Sequence, residues 1–126
     1  MRLFMRIAVG LVGVFNLVIG LGFFTQTAAF GGRFFIAADN IQGLATMRAD
    51  FTSFFVTAGA LAIFGAWRQS GHWLLVPIML FGIALCGRLV SLGIDGAPPT
   101  AFGPMAVEAV MILVLAGGYR VFWTRS

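Results

Sequence analysis

Lysine is absent from this 126-residue chain, and cysteine, histidine, tyrosine and glutamate each occur once. A single cysteine, Cys86, permits no internal disulfide, and with one histidine there is no zinc cluster to build. Cys86 reads as a small apolar packing residue. Charge is scarce as well: 10% of residues are charged, against about 25% in ordinary soluble domains. The acidic side chains are Asp39, Asp50, Asp95 and Glu108 alone, facing eight arginines for a net charge of +4. Those arginines stand singly between apolar runs, so they read as topology signals and not as a nucleic-acid patch. No nucleic-acid partner is expected. The Gly117 and Gly118 pair lacks the strand, helix and lysine of a phosphate loop, and no serine or threonine falls into a hydrolase triad. His72 lacks companion ligands and reads as an interface anchor. The six methionines have no cysteine or histidine grouping around them and read as packing residues. No metal and no cofactor is expected.

What remains is largely apolar: 60% of the residues are hydrophobic. A soluble fold of this length has too little interior to hide so much apolar surface, whereas a bilayer removes the difficulty. Four runs are long enough to cross about 30 Å of hydrocarbon. They fall at about 4–24, 47–67, 73–92 and 104–122, within one domain covering residues 1–126. Arg2 and Arg6 ahead of the first run look like the start of a signal peptide. That run is too long for a usual signal core, and three further spans follow, so an uncleaved first helix is expected. The second helix is expected to start ahead of its membrane limit, after Asp39 or Asn40, which are good caps. Pro77 and Pro104 suit first helical turns. The predicted fold is all-α, an integral membrane four-helix bundle.

Interface markers orient the bundle. Trp67, Trp73, Tyr119 and Trp123 share one set of ends, as an aromatic belt would. Arg2, Arg6, Arg68, Arg120 and Arg125 lie on that side. Arg33 and Arg48 lie on the other, beside Asp39, Asp50 and Asp95. The positive-inside bias predicts both termini in the cytoplasm. Two rows of small residues run along the second span: Ala45, Ala49, Ser53 and Thr57, then Ala58, Ala62 and Ala66. They suit internal helix contacts or a homodimer seam. The outer loop 25–46 is expected to be partly helical. Phe30, Phe34 and Phe35 would either lay a short helix on the membrane surface, with Arg33 towards headgroups, or fold over the bundle as a cap.

Charges inside a membrane are costly and therefore informative. Depth counting brings Arg88, Glu108 and Asp50, from three helices, to one level in the outer half of the bilayer, with Arg48 and Asp95 at its boundary. Asn16 lies deeper, in the first span. An arginine there needs a carboxylate or several acceptors, and its planar fork also suits a carboxylate or phosphate. Several readings stay open. Arg88 and Glu108 can form a register-locking ion pair, or the charges can snorkel to headgroups. Arg88 and Arg48 can hold an anionic amphiphile. Glu108 or Asp50 can serve an acid–base enzyme of isomerase or cyclase type. An ion or solute pathway has the least support, because no span shows a continuous polar face.

One combination of residues has a family likeness. It runs from residues 44–51, with Arg48 and Asp50, through Gly65, Ala66, Trp67 and Arg68. It continues with Gly87, Arg88, Leu89, Val90 and Ser91, then Asp95 and Gly96, and ends at Glu108. Over nearly the whole chain this resembles the domain-of-unknown-function 4345 family of small bacterial four-span membrane proteins, and more distantly the DoxX-like group. The resemblance implies a compact four-helix bundle in the bacterial cytoplasmic (inner) membrane, with Arg48, Asp50, Arg88, Asp95 and Glu108 as family-like polar positions. It carries no activity with it. Membrane lipid, an anionic amphiphile and a membrane protein partner or second copy are the expected partner classes.

Overall fold

A computed structural model describes residues 1–123; Arg125, assigned above to the cytoplasmic side, lies outside the described residues. Five helices follow one another: α1 (Arg2–Thr25), α2 (Thr27–Arg33), α3 (Ile41–Arg68), α4 (Leu75–Ile94) and α5 (Phe102–Phe122). Short 3-10 turns at Gly71–Leu74 and Pro99–Ala101 lead into α4 and α5. No strand occurs among the described residues. Four of the elements, α1, α3 and the two turn-plus-helix units ending in α4 and α5, are long and apolar enough to cross a membrane. The protein is an all-α, multi-pass bundle. Large apolar side chains cover its outside, among them Leu11, Val18, Met79, Ile83, Val110 and Leu113. In water such a surface would aggregate; in lipid it is solvated.

The closest packing joins α1 to α3, and glycine makes it so. A Cβ on Gly59 would lie 2.6 Å from the carbonyl oxygen of Gly13, and one on Gly13 would lie 2.8 Å from that of Gly59. Both helices therefore approach backbone to backbone, as small residues permit in membranes. The row Ala58, Ala62 and Ala66 is buried along this core. The other row, Ala45, Ala49, Ser53 and Thr57, faces outward. Val9, Leu74, Phe81, Leu115 and Phe122 complete the interior.

Helix α3 has 28 residues, about 42 Å at 1.5 Å each, and so exceeds the hydrocarbon thickness. Its first turns stand clear of the last span-length stretch, and α2 folds against them. Phe23 is the hub: Phe30, Phe34, Phe51 and Phe55 all pack on its ring, at centroid distances of 5.8, 5.2, 5.0 and 5.8 Å. Between the two placements open to this segment, the phenylalanines decide for a cap over the bundle end. Phe35 instead turns out, 78% exposed, with a left-handed φ of 61°. Asn40 caps α3, its side-chain oxygen accepting from the Gly43 N–H at 2.8 Å. Asn40→Ala is expected to cost about 1 kcal/mol, read as a lower melting temperature in detergent and faster hydrogen exchange at Gly43.

The opposite end is a tight hairpin between α3 and α4. Gln69 takes the left-handed conformation that ends α3, and the Ser70 N–H donates back to the Gly65 carbonyl at 3.0 Å. Aromatic rings gather there: Trp73 on Phe64 at 4.6 Å, Tyr119 on Trp123 at 5.4 Å and His72 on Trp123 at 5.8 Å. Arg6 Nε donates to the Ala66 carbonyl at 3.3 Å, tying α1 to the hairpin.

Candidate functional site

Arg88 and Glu108 are brought together across α4 and α5. Arg88 Nε donates to Glu108 Oε1 at 2.7 Å, the one ion pair among the described residues. Both helices extend beyond the spans read from sequence. Arg88 lies six residues before Ile94 and Glu108 six residues after Phe102, each about 9 Å from its helix end. Counted from the span limits read from sequence, each remains about one turn inside. A lone charge at such depth is expensive, and each partner offsets the other's desolvation.

The two partners are not equally enclosed. Glu108 is buried, its side chain 11% exposed, whereas the Arg88 side chain is 40% exposed. The reason lies in α4. Its buried residues are Pro77 and Phe81, both in the half nearer the hairpin. From Gly82 onward no residue of α4 is buried. Arg88 is seven residues from Phe81, two turns along the same helix face, so it points inward yet remains open. Glu108 engages Nε alone. The two terminal nitrogens of the guanidinium make no hydrogen bond to the described residues. Up to four N–H donors thus stay available on a fork whose orientation Glu108 sets.

The remaining candidates are placed differently. Asp50 is exposed and forms no ion pair within 4.0 Å among the described residues. It sits one turn from Phe54 on the face of α3 turned to α4, because Phe54 packs edge-on to Phe81 at 5.7 Å. Arg48 turns the other way, Nε donating to the Phe24 carbonyl at 3.2 Å. It thus caps the end of α1. Asp95 ends α4, its backbone N–H on the Ser91 carbonyl at 2.7 Å, and its side chain is exposed without a partner among the described residues. The five residues do not converge.

Deeper in the bundle, Asn16 is fully buried. Its Nδ2 donates to the Val12 carbonyl at 2.8 Å and lies 3.4 Å from Met111 Sδ, while Oδ1 has no hydrogen-bond partner among the described residues. Thr52 Oγ1 is likewise buried without a partner. The sequence marks Asn16 by its mid-span position; it gives no such mark for Thr52, because hydroxyls in membrane helices usually bond their own backbone, as Ser53 does to Ala49 at 2.6 Å.

Two grooves mark the surface. One of about 400 Å³ runs between α1 and α5, lined by Leu11, Phe15, Val107, Val110 and their neighbours. One of about 460 Å³ lies under the cap, at Ala28, Asn40, Leu44 and Met47. Neither touches Arg88 or Glu108. No group of three or more His, Cys, Asp or Glu side chains is placed to hold a metal ion among the described residues. Comparison of the chain with protein-family models, with curated proteins and with solved structures finds no match.

Proposed function

We propose that the protein is a small component of the bacterial inner membrane that binds a lipid-like or anionic amphiphile, or a membrane partner, through a polar site in the outer half of the bilayer, with an anionic group on the open edge of Arg88. The supporting observation is the one-sided engagement of that arginine. Glu108 fixes Nε, the terminal nitrogens have no hydrogen-bond partner among the described residues, and the far half of α4 has no buried residue to cover them. A charge-assisted pair of N–H donors is the usual device for a phosphate or carboxylate. The arginine asymmetry supports cytoplasmic termini, with Arg88 in the outer half of the bilayer.

A second reading, in which the protein is a purely structural or accessory subunit, is favoured by the same 2.7 Å contact, since an ion pair between α4 and α5 also fixes their register. An acid–base enzyme using Glu108 or Asp50 has less support. Glu108 is committed to Arg88, Asp50 is open to the surroundings, and neither groove meets them.

Native mass spectrometry after release from lipid nanodiscs separates the first two. The wild type is expected to keep a discrete bound species that Arg88→Gln loses. Equal retention by both, or none by either with Arg88→Gln merely less stable, would leave the arginine as a structural counter-charge.

A further inference from the structure

Asn16 brings an amide into the middle of the bundle without a full set of partners. It lies nine residues before Thr25, about 14 Å from the nearer end of α1, and it is fully buried. One Nδ2 proton goes to the Val12 carbonyl of its own helix and the other to the Met111 thioether, 3.4 Å away on α5. Oδ1 accepts no hydrogen bond from the described residues. Thioether sulfur is a weak acceptor. An asparagine that served only to join two membrane helices would be expected on a carbonyl or hydroxyl of its neighbour. Both partners of this amide also wall a cavity. Val12 and Met111 line the groove of about 400 Å³ between α1 and α5, together with Leu11, Phe15, Val107 and Val110. Met111 thus belongs to the groove wall while its sulfur meets the amide. Its unbranched chain repacks readily, which suits a gate between the two.

We infer that the α1–α5 groove binds an uncharged lipid alcohol, its hydrocarbon along Leu11, Phe15 and Val110 and its hydroxyl on the Asn16 amide once Met111 turns aside. The groove and the amide select this chemistry together. Every lining residue is apolar, which suits a hydrocarbon body with one polar group to orient it. A charged headgroup would have to leave the interface for the middle of a span, at high cost. A ketone or ester would accept from Nδ2 and still leave Oδ1 without a donor. A hydroxyl both accepts and donates, so one such group answers both needs of the amide. The groove does not touch Arg88 or Glu108, and this site stands or falls independently of theirs.

The test is photolabelling of the full chain in nanodiscs by a long-chain alcohol with a diazirine on its chain, against the matching alkane. Labelled residues are located by mass spectrometry and scaled to labelling of the bulk lipid. In the wild type the alcohol is expected to label 11–15 and 107–111 about tenfold more than the alkane, the scale of one hydrogen bond to a buried group. Asn16→Leu, of similar size and without an amide to satisfy, should fold and lose that preference. Val110→Trp, at an exposed position on the groove wall, should block both probes. Met111→Ala should raise labelling by the alcohol. Equal labelling by the two probes, or a preference that survives Asn16→Leu, would overturn the hydroxyl assignment and leave the amide to an internal water. Labelling spread evenly around the bundle, or indifferent to Val110→Trp, would overturn the groove as a site. No gain in Met111→Ala would overturn the gate.

Discussion

Glu108→Leu is expected to lower stability by about 2–4 kcal/mol, whereas the paired change Arg88→Met with Glu108→Leu should cost under about 1 kcal/mol. Removing the carboxylate alone strands a guanidinium about 9 Å from the helix end, and an uncompensated charge there carries its full desolvation cost. The 40% exposure of the Arg88 side chain lets it bend towards headgroups and recover part of the loss, which keeps the figure below that of a sealed pair. Replacing both members by apolar residues removes the charge altogether, and lipid accepts the result. Thermal unfolding in a mild detergent, run as a double-mutant cycle, reads the coupling directly. A coupling near zero would mean that the 2.7 Å contact contributes nothing to the fold.

Gly59→Val should be the most damaging single change along the α1–α3 seam, at about 2–3 kcal/mol. Its new Cβ would meet the Gly13 carbonyl oxygen at 2.6 Å and the Leu17 backbone nitrogen at 2.8 Å. Both are backbone atoms, so no rotamer change relieves the clash and α1 must move. Gly82→Ala, by contrast, meets nothing within 4 Å and should gain about 0.5–1 kcal/mol from helix propensity. The contrast between two glycines in membrane helices, one destabilised and one stabilised, would separate close packing from any general effect of removing glycine. Equal effects at both sites would contradict the backbone-to-backbone seam.

The fold was readable because its cause is local. Twenty-residue apolar runs announce the spans, and Asn40 stands where a cap is needed, three residues ahead of the Gly43 N–H that it accepts from. The Arg88–Glu108 pair was readable too, since depth in a bilayer follows from counting residues along a helix. Rotation about the helix axis does not follow from that count. Asp50 and Arg48 share the expected level, yet they sit about 200° apart around α3 at 100° per residue. Arg48 therefore meets α1 and Asp50 faces α4. Asp95 is held at a helix end by the loop before Pro98, whose course no periodicity predicts. The cap formed by α2 depends on Phe23 gathering rings from three segments, a tertiary choice that the phenylalanine count alone left open.

Cys86 offers the most direct test of the open, lipid-facing outer half of α4. It is the sole cysteine, it is exposed, and it lies two residues before Arg88. A nitroxide attached there in reconstituted bilayers reports its surroundings without any prior substitution. High accessibility to oxygen with low accessibility to a water-soluble nickel chelate is the expected result. Strong nickel accessibility would put α4 in water, and protection from both reagents would mean that another surface covers the helix beside Arg88.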